Sequence, residues 1–190
     1  MPVWGWILIA AIVVIAAVAI IVARSVNSRK RTEGLKERFG PEYERTVGEA
    51  GEQRSAEDEL AERERKREKL DIVPLTPQAR EKYAGRWRTV QSAFVDNPSS
   101  ALGGADQLVI LVMRECGYPI DDFDQRAADI SVDHPTVVEN YRAAHNISLS
   151  QQEGDVGTEK QRQAFVHYRA LFEKLLETDK YKDKSQEARA

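Results

Sequence analysis

The side chains best suited to chemistry gather in residues 118–145, where Asp121, Asp122, Asp124, Asp129 and Asp133 lie around Arg126, His134 and His145. Carboxylates beside imidazoles can ligate a metal or share a proton as acid and base. The spacing argues against both uses. Asp122, Asp124 and Arg126 depart from the calcium-loop pattern, which needs a third oxygen ligand and then a glycine. His134 and His145 on one helix would stand about 16 Å apart, too far to share one zinc. His145 with His167 from another helix stays open as a pair, but no cysteine or H-E-x-x-H spacing accompanies it. Adjacent positions on a helix diverge, so Asp133 is read as a helix cap and not as the residue that orients His134; Asp121 or Asp122 is read the same way. There is no phosphate loop or nucleophile elbow, and Gly103-Gly104 reads as close packing. No cofactor or metal is expected. The residues Asp122, Asp124, Arg126, Asp129, His134 and His145 are read as an interaction face, with a divergent enzyme or metal-binding domain built on the same cluster as the alternative.

The elements that must position these residues are helical. Thr76 and Pro77 frame a helix whose Tyr83, Trp87, Val90 and Phe94 form a buried stripe. Ser99 or Ser100 is expected to cap a second helix running through Cys116, with Leu102, Ala105, Leu108, Val109, Val112 and Met113 as a broad central face and Gly117 as its stop. A short helix follows over 122–130. Asp133 is expected to cap a fourth helix carrying Val137, Val138, Tyr141 and Ala144, and Thr158 with Gln161 to form a capping box for a fifth. Alternating strand patterns are almost missing. The expected fold class is all-α, with a bundle of about five helices over 72–177 and a fraying tail over 178–190.

Upstream lies a segment of a different character, 32–71, rich in charge and in strong helix formers. Gly40 and Pro41 interrupt it, and residues 42–70 are expected to form one helix of nearly thirty residues, a solvated spacer. The heptad-like stripe Tyr43, Val47 and Ala50 gives way to Arg54 and Glu57, so a coiled-coil dimer is not indicated. Residues 3–23 are an unbroken apolar run spanning about 32 Å as a helix, enough for one membrane crossing. Trp4 and Trp6 fall where headgroups would meet its first turn, and Arg24, Arg29, Lys30 and Arg31 form a basic collar at its other end. The collar places the amino terminus outside and the remainder in the cytoplasm. A cleaved secretory signal is disfavoured, because its positive charges would precede a shorter run. The lone Cys116 reads as a small buried apolar group.

Beyond the collar neither soluble segment is net basic, which argues against nucleic acid as a partner. The blocks 35–43, 69–72, 94–98, 117–129, 131–135 and 141–145 resemble an uncharacterised family of bacterial single-pass membrane-anchored proteins with a cytoplasmic helical domain. That resemblance implies a bacterial inner-membrane setting and supplies no activity, cofactor or site residue. The functional expectation is a membrane-tethered cytoplasmic scaffold or adaptor whose partners are the lipid bilayer and another membrane-associated or cytoplasmic protein.

Overall fold

The structure, a computed structural model, describes the backbone of residues 3–154 and 156–177; within 3–23 it describes the side chains of Ala16, Ala19 and Val22 only. Among the described residues there are eight helices and no strand: α1 Val3–Phe39, α2 Pro41–Ala50, α3 Gln53–Glu68, α4 Pro77–Asp96, α5 Pro98–Glu115, α6 Phe123–Asp133, α7 Val138–Glu153 and α8 Thr158–Glu177. Among those residues no helix is long and apolar enough to cross a membrane. The expected span over 3–23 lies within α1, with most of its side chains outside the described residues. The headgroup positions of Trp4 and Trp6 and the fraying of 178–190 lie outside them as well.

Helices α4, α5, α7 and α8 enclose the main core. Trp87 stacks on Phe172 with ring centres 4.5 Å apart and tilts against Phe165 at 5.0 Å, joining α4 to α8. Leu102, Leu108, Val109, Val112 and Met113 bury the expected face of α5. Thr76 caps α4 by accepting the Ala79 amide at 3.1 Å. Gly117 closes α5 with φ +93, and a Cβ there would collide with the Asp71 carbonyl. This close approach pins the connector to the bundle, and the Val73 amide donates to the Cys116 carbonyl at 2.9 Å beside it. Cys116 is buried, and burial, with Glu115 beside it, pushes its thiol up to about 11, leaving an inert side chain.

Several local expectations are corrected. Asn97, not Ser99 or Ser100, caps α5, accepting the Ser100 amide at 3.0 Å, with Pro98 as the first helical residue. Asp133 ends α6 and caps nothing: Arg67 and Tyr118 hold its carboxylate, and α7 starts only after a turn closed by amides donating to the His134 carbonyl. Thr158 is the first residue of α8, and the Gln161 amide turns away from it to reach Gln151 at 2.7 Å and Ser99 at 3.0 Å. Gly104 stands 3.5 Å from the Val90 methyls once given a Cβ, and Gly103 meets nothing, so neither position demands glycine.

The largest correction concerns the spacer. Residues 42–70 are not one helix: Gly51 adopts φ +70, its amide caps α2 on the Val47 carbonyl at 3.0 Å, and α3 folds back from Gln53. Only glycine enters that left-handed region without strain. Nor is the segment solvated throughout. Leu35, Phe39, Tyr43 and Leu60 form a second core that Val132 of α6 completes. The pairs Arg31–Asp58 (2.7 Å) and Thr32–Glu57 (2.7 Å) both precede Arg38–Glu64 (3.0 Å) along the two helices, so α1 and α3 run parallel. Glu57, buried between them, also accepts from Tyr43 at 3.0 Å and Gln53 at 2.8 Å. Burial pushes its carboxyl up, and the bonds from Gln53, Thr32 and Tyr43 outweigh that and hold it low.

Candidate functional site at the α6 junction

Helix α6 lies between the two cores. It contributes Val132 to the α1–α3 layer, and its Ala127 and Ile130 to the main bundle. The six residues expected to share one exposed face are divided by this position. Asp122 and Asp124 are exposed, and Asp122 caps α6 by accepting the Gln125 amide at 2.8 Å. Arg126, Asp129 and His134 are buried, and His145 is half-buried. They do not form one surface.

Each buried group has a distinct environment. Arg126 is bonded inward: Nε donates to the Tyr141 hydroxyl at 3.0 Å, and Nη1 to the carbonyls of Asp121 at 3.0 Å and Ile120 at 3.3 Å. Its guanidinium ties the loop before α6 to α7, a structural task. Asp129 accepts from Gln125 at 2.8 Å through one oxygen, while the other has no protein partner. Burial raises its carboxyl, against the Gln125 bond and the charges of Lys66 and Arg63. His134 is only 5 % exposed and neither ring nitrogen has a protein partner, so burial lowers its pKa despite the adjacent Asp133. His145 stacks on Phe123 with centres 3.6 Å apart and planes 7° apart, and burial lowers it too. His167 bonds Asn140 at 2.8 Å and takes no part in the cluster.

Glu42 and Asp106, which sequence reasoning passed over, and Asp133, which it read as a cap, organise the junction. Glu42, completely buried, accepts from Arg45 of its own helix at 3.0 Å, Arg63 of α3 at 2.7 Å and Arg142 of α7 at 2.7 Å. Burial alone would raise its carboxyl; the bonds from Arg45, Arg142 and Arg63 overcome this and hold it at about 2. Asp133 joins α6 to α3 through Arg67 and accepts the Tyr118 hydroxyl at 2.6 Å. Asp106, on α5, is raised by burial, with the Tyr168 hydroxyl, Arg126 and His145 as the neighbours that oppose it. No periodicity marks these residues; Glu42 sits two places after Gly40 like any first-turn acid, and only the fold brings its three arginines together.

The chemistry open to this arrangement is mostly spoken for. Among the described residues no group of three or more His, Cys, Asp or Glu is placed to hold a metal. The carboxylates of Glu42 and Asp133 are consumed by arginines, and what remains accessible at α6 is the acidic turn Asp121, Asp122 and Asp124. An open groove of about 530 Å³ lies elsewhere, between α1 and α3, where Lys30, Arg31, Glu37 and Arg38 face Ala61 and Glu64. No family model, curated protein or solved structure matches the chain.

Proposed function

We propose that the chain is a membrane-tethered helical interaction module, a scaffold or adaptor held on the cytoplasmic face of the membrane by residues 3–23. The observation that carries this reading is the continuity of α1. One helix includes the apolar run and the basic collar, and its last turns are buried in the folded body, with Leu35 5 % and Phe39 0 % exposed. A span that enters the core this way sets the body's distance and orientation as well as its location. From Ala23 to Phe39 the stalk rises about 24 Å. Arg24, Arg29 and Lys30 are exposed and make no ion pair among the described residues, which leaves them for anionic headgroups at about 1 kcal/mol each.

Tethering raises the local concentration of any partner on the same surface, so modest contacts suffice. The accessible acidic turn at Asp121, Asp122 and Asp124 is the face assigned to that partner, a membrane-associated or cytoplasmic protein presenting basic side chains. Arg126 drops out of the face because it is buried and bonded inward. A photo-crosslinking residue in place of Asp124 tests this in cells. The full chain gives a discrete crosslinked product in the membrane fraction, and removal of residues 3–23 reduces its yield at least about tenfold by loss of effective concentration. Equal yield from the untethered chain would refute the tethering role, and crosslinks that form from α4 but not from Asp124 would move the face.

A further inference from the structure

Two exposed patches of the bundle carry unpaired charge of opposite sign. On α4, Lys82, Arg86 and Thr89 recur at i, i+4 and i+7 along one exposed flank. Apart from Lys82 lying 5.3 Å over the Tyr83 ring, neither cation's side chain makes an ion pair or a hydrogen bond among the described residues. Glu81 lies about 100° around the helix from Lys82, and Glu115 of α5, beside the flank, accepts the Tyr83 hydroxyl at 3.2 Å. Arg86 and Thr89, with Val90, Gly104 and Leu108, line an open groove of about 270 Å³ between α4 and α5. The opposite patch is the acidic turn. Asp121, Asp122 and Asp124 are exposed and make no ion pair among the described residues, and half-buried Ile120 precedes them.

Both patches stand at the end of the bundle where α5 closes. The Tyr83–Glu115 bond puts Lys82 and Arg86 beside the last turn of α5, and Asp121, four residues past Gly117, lies within about 14 Å of that stop. A foreign partner with basic side chains would cover the acidic turn and leave Lys82 and Arg86 unmatched. A second copy satisfies both patches at once, the turn of each lying on the α4 flank of the other, which is the reciprocity of an isologous two-fold interface. A two-fold axis along the membrane normal leaves both anchors on one side, and tethering supplies copies at high local concentration. Resting on the interaction reading proposed above, we propose that the partner of the acidic turn is a second copy of this chain, whose Lys82 and Arg86 pair with Asp121 and Asp124 and whose α4–α5 groove receives Ile120. Charge sets the register, and Val90 and Leu108 supply apolar contact.

The test is photo-crosslinking of the full chain in cells, with the reactive residue in place of Thr89. The expected product has twice the mass of the chain and carries its crosslink within residues 118–126. Two charge-reversed chains probe the contact. Lys82→Glu with Arg86→Glu leaves both patches acidic, Asp121→Lys with Asp124→Lys leaves both basic, and each variant alone loses the product at least about tenfold by like-charge repulsion. Co-expressed, the two variants pair with each other and restore it, which misfolded chains would not do. Undiminished product from either variant alone, a loss that co-expression fails to restore, or a ladder of higher multiples overturns the two-fold pairing. If Thr89 gives no dimer while the residue at Asp124 still crosslinks a different protein, the adaptor reading stands and self-pairing falls; if neither position crosslinks, both fall.

Discussion

Glu42 and His134 illustrate two opposite ways of burying a titratable side chain. Glu42 is surrounded by donors, and the cost of its desolvation is met by three guanidinium groups from three helices. Its pKa of about 2 lies below the ordinary glutamate value of 4.5, so its contribution to stability is present above the ordinary value and is lost as pH falls toward 2. Glu42→Gln keeps the shape and strips the charge, leaving three arginines together. It is expected to lower the unfolding free energy at pH 7 by about 3 kcal/mol in urea titrations. His134 has no such company. Asp133 favours its protonation, while burial and the charges of Lys174 and Arg67 oppose it, and the folded state keeps it neutral. A lowered folded pKa means that stability is present above the unfolded value near 6.5 and declines as pH falls below it. His134→Phe sacrifices no protein hydrogen bond. Its urea midpoint at pH 7.5 should match or exceed wild type, and the share of the acid loss between pH 7.5 and 5.5 due to His134, up to about 1 kcal/mol, should vanish.

At the scale of elements, the bundle was legible where apolar periodicity and caps agreed. Tyr83, Trp87, Val90 and Phe94 pointed to α4, and Thr76-Pro77 marked its start; the core face of α5 followed from its apolar spacing. The α1–α3 layer was not legible, and Leu60 shows why. In sequence it is one leucine within a run of glutamate and arginine, too isolated to propose a core. Its partners Leu35, Phe39, Tyr43 and Val132 come from three other helices, and only the reversal at Gly51 brings them together. A single glycine at position 51 is a weak breaker signal beside the helix formers around it. The residues of the candidate face are divided for a related reason. Spacing places Arg126, Asp129 and His134 near Asp122, but which side of α6 is covered depends on α3, whose packing the sequence does not announce. Leu60→Ala is expected to cost about 3 kcal/mol and to raise amide exchange in α1–α3 well before α4 and α5. Uniform loosening of all helices would show that the two cores unfold as one.

At the scale of the molecule, the chain couples a candidate membrane span to a body without an intervening hinge. The charged segment expected to act as a solvated spacer is folded onto α6, and Glu42–Arg142 joins it to α7 across 100 residues of sequence. On the proposed anchoring, such a body keeps its acidic turn at a set height above the membrane, which a flexible spacer would not. This account stands on residues 3–23 being inserted in the bilayer. The most direct measurement is alkaline carbonate extraction of membranes carrying the full chain, beside a chain lacking residues 3–23. The account predicts that the full chain stays with the membranes, and that the shortened chain is recovered in the supernatant with the same cooperative unfolding of its helices. Recovery of the full chain in the supernatant would contradict it.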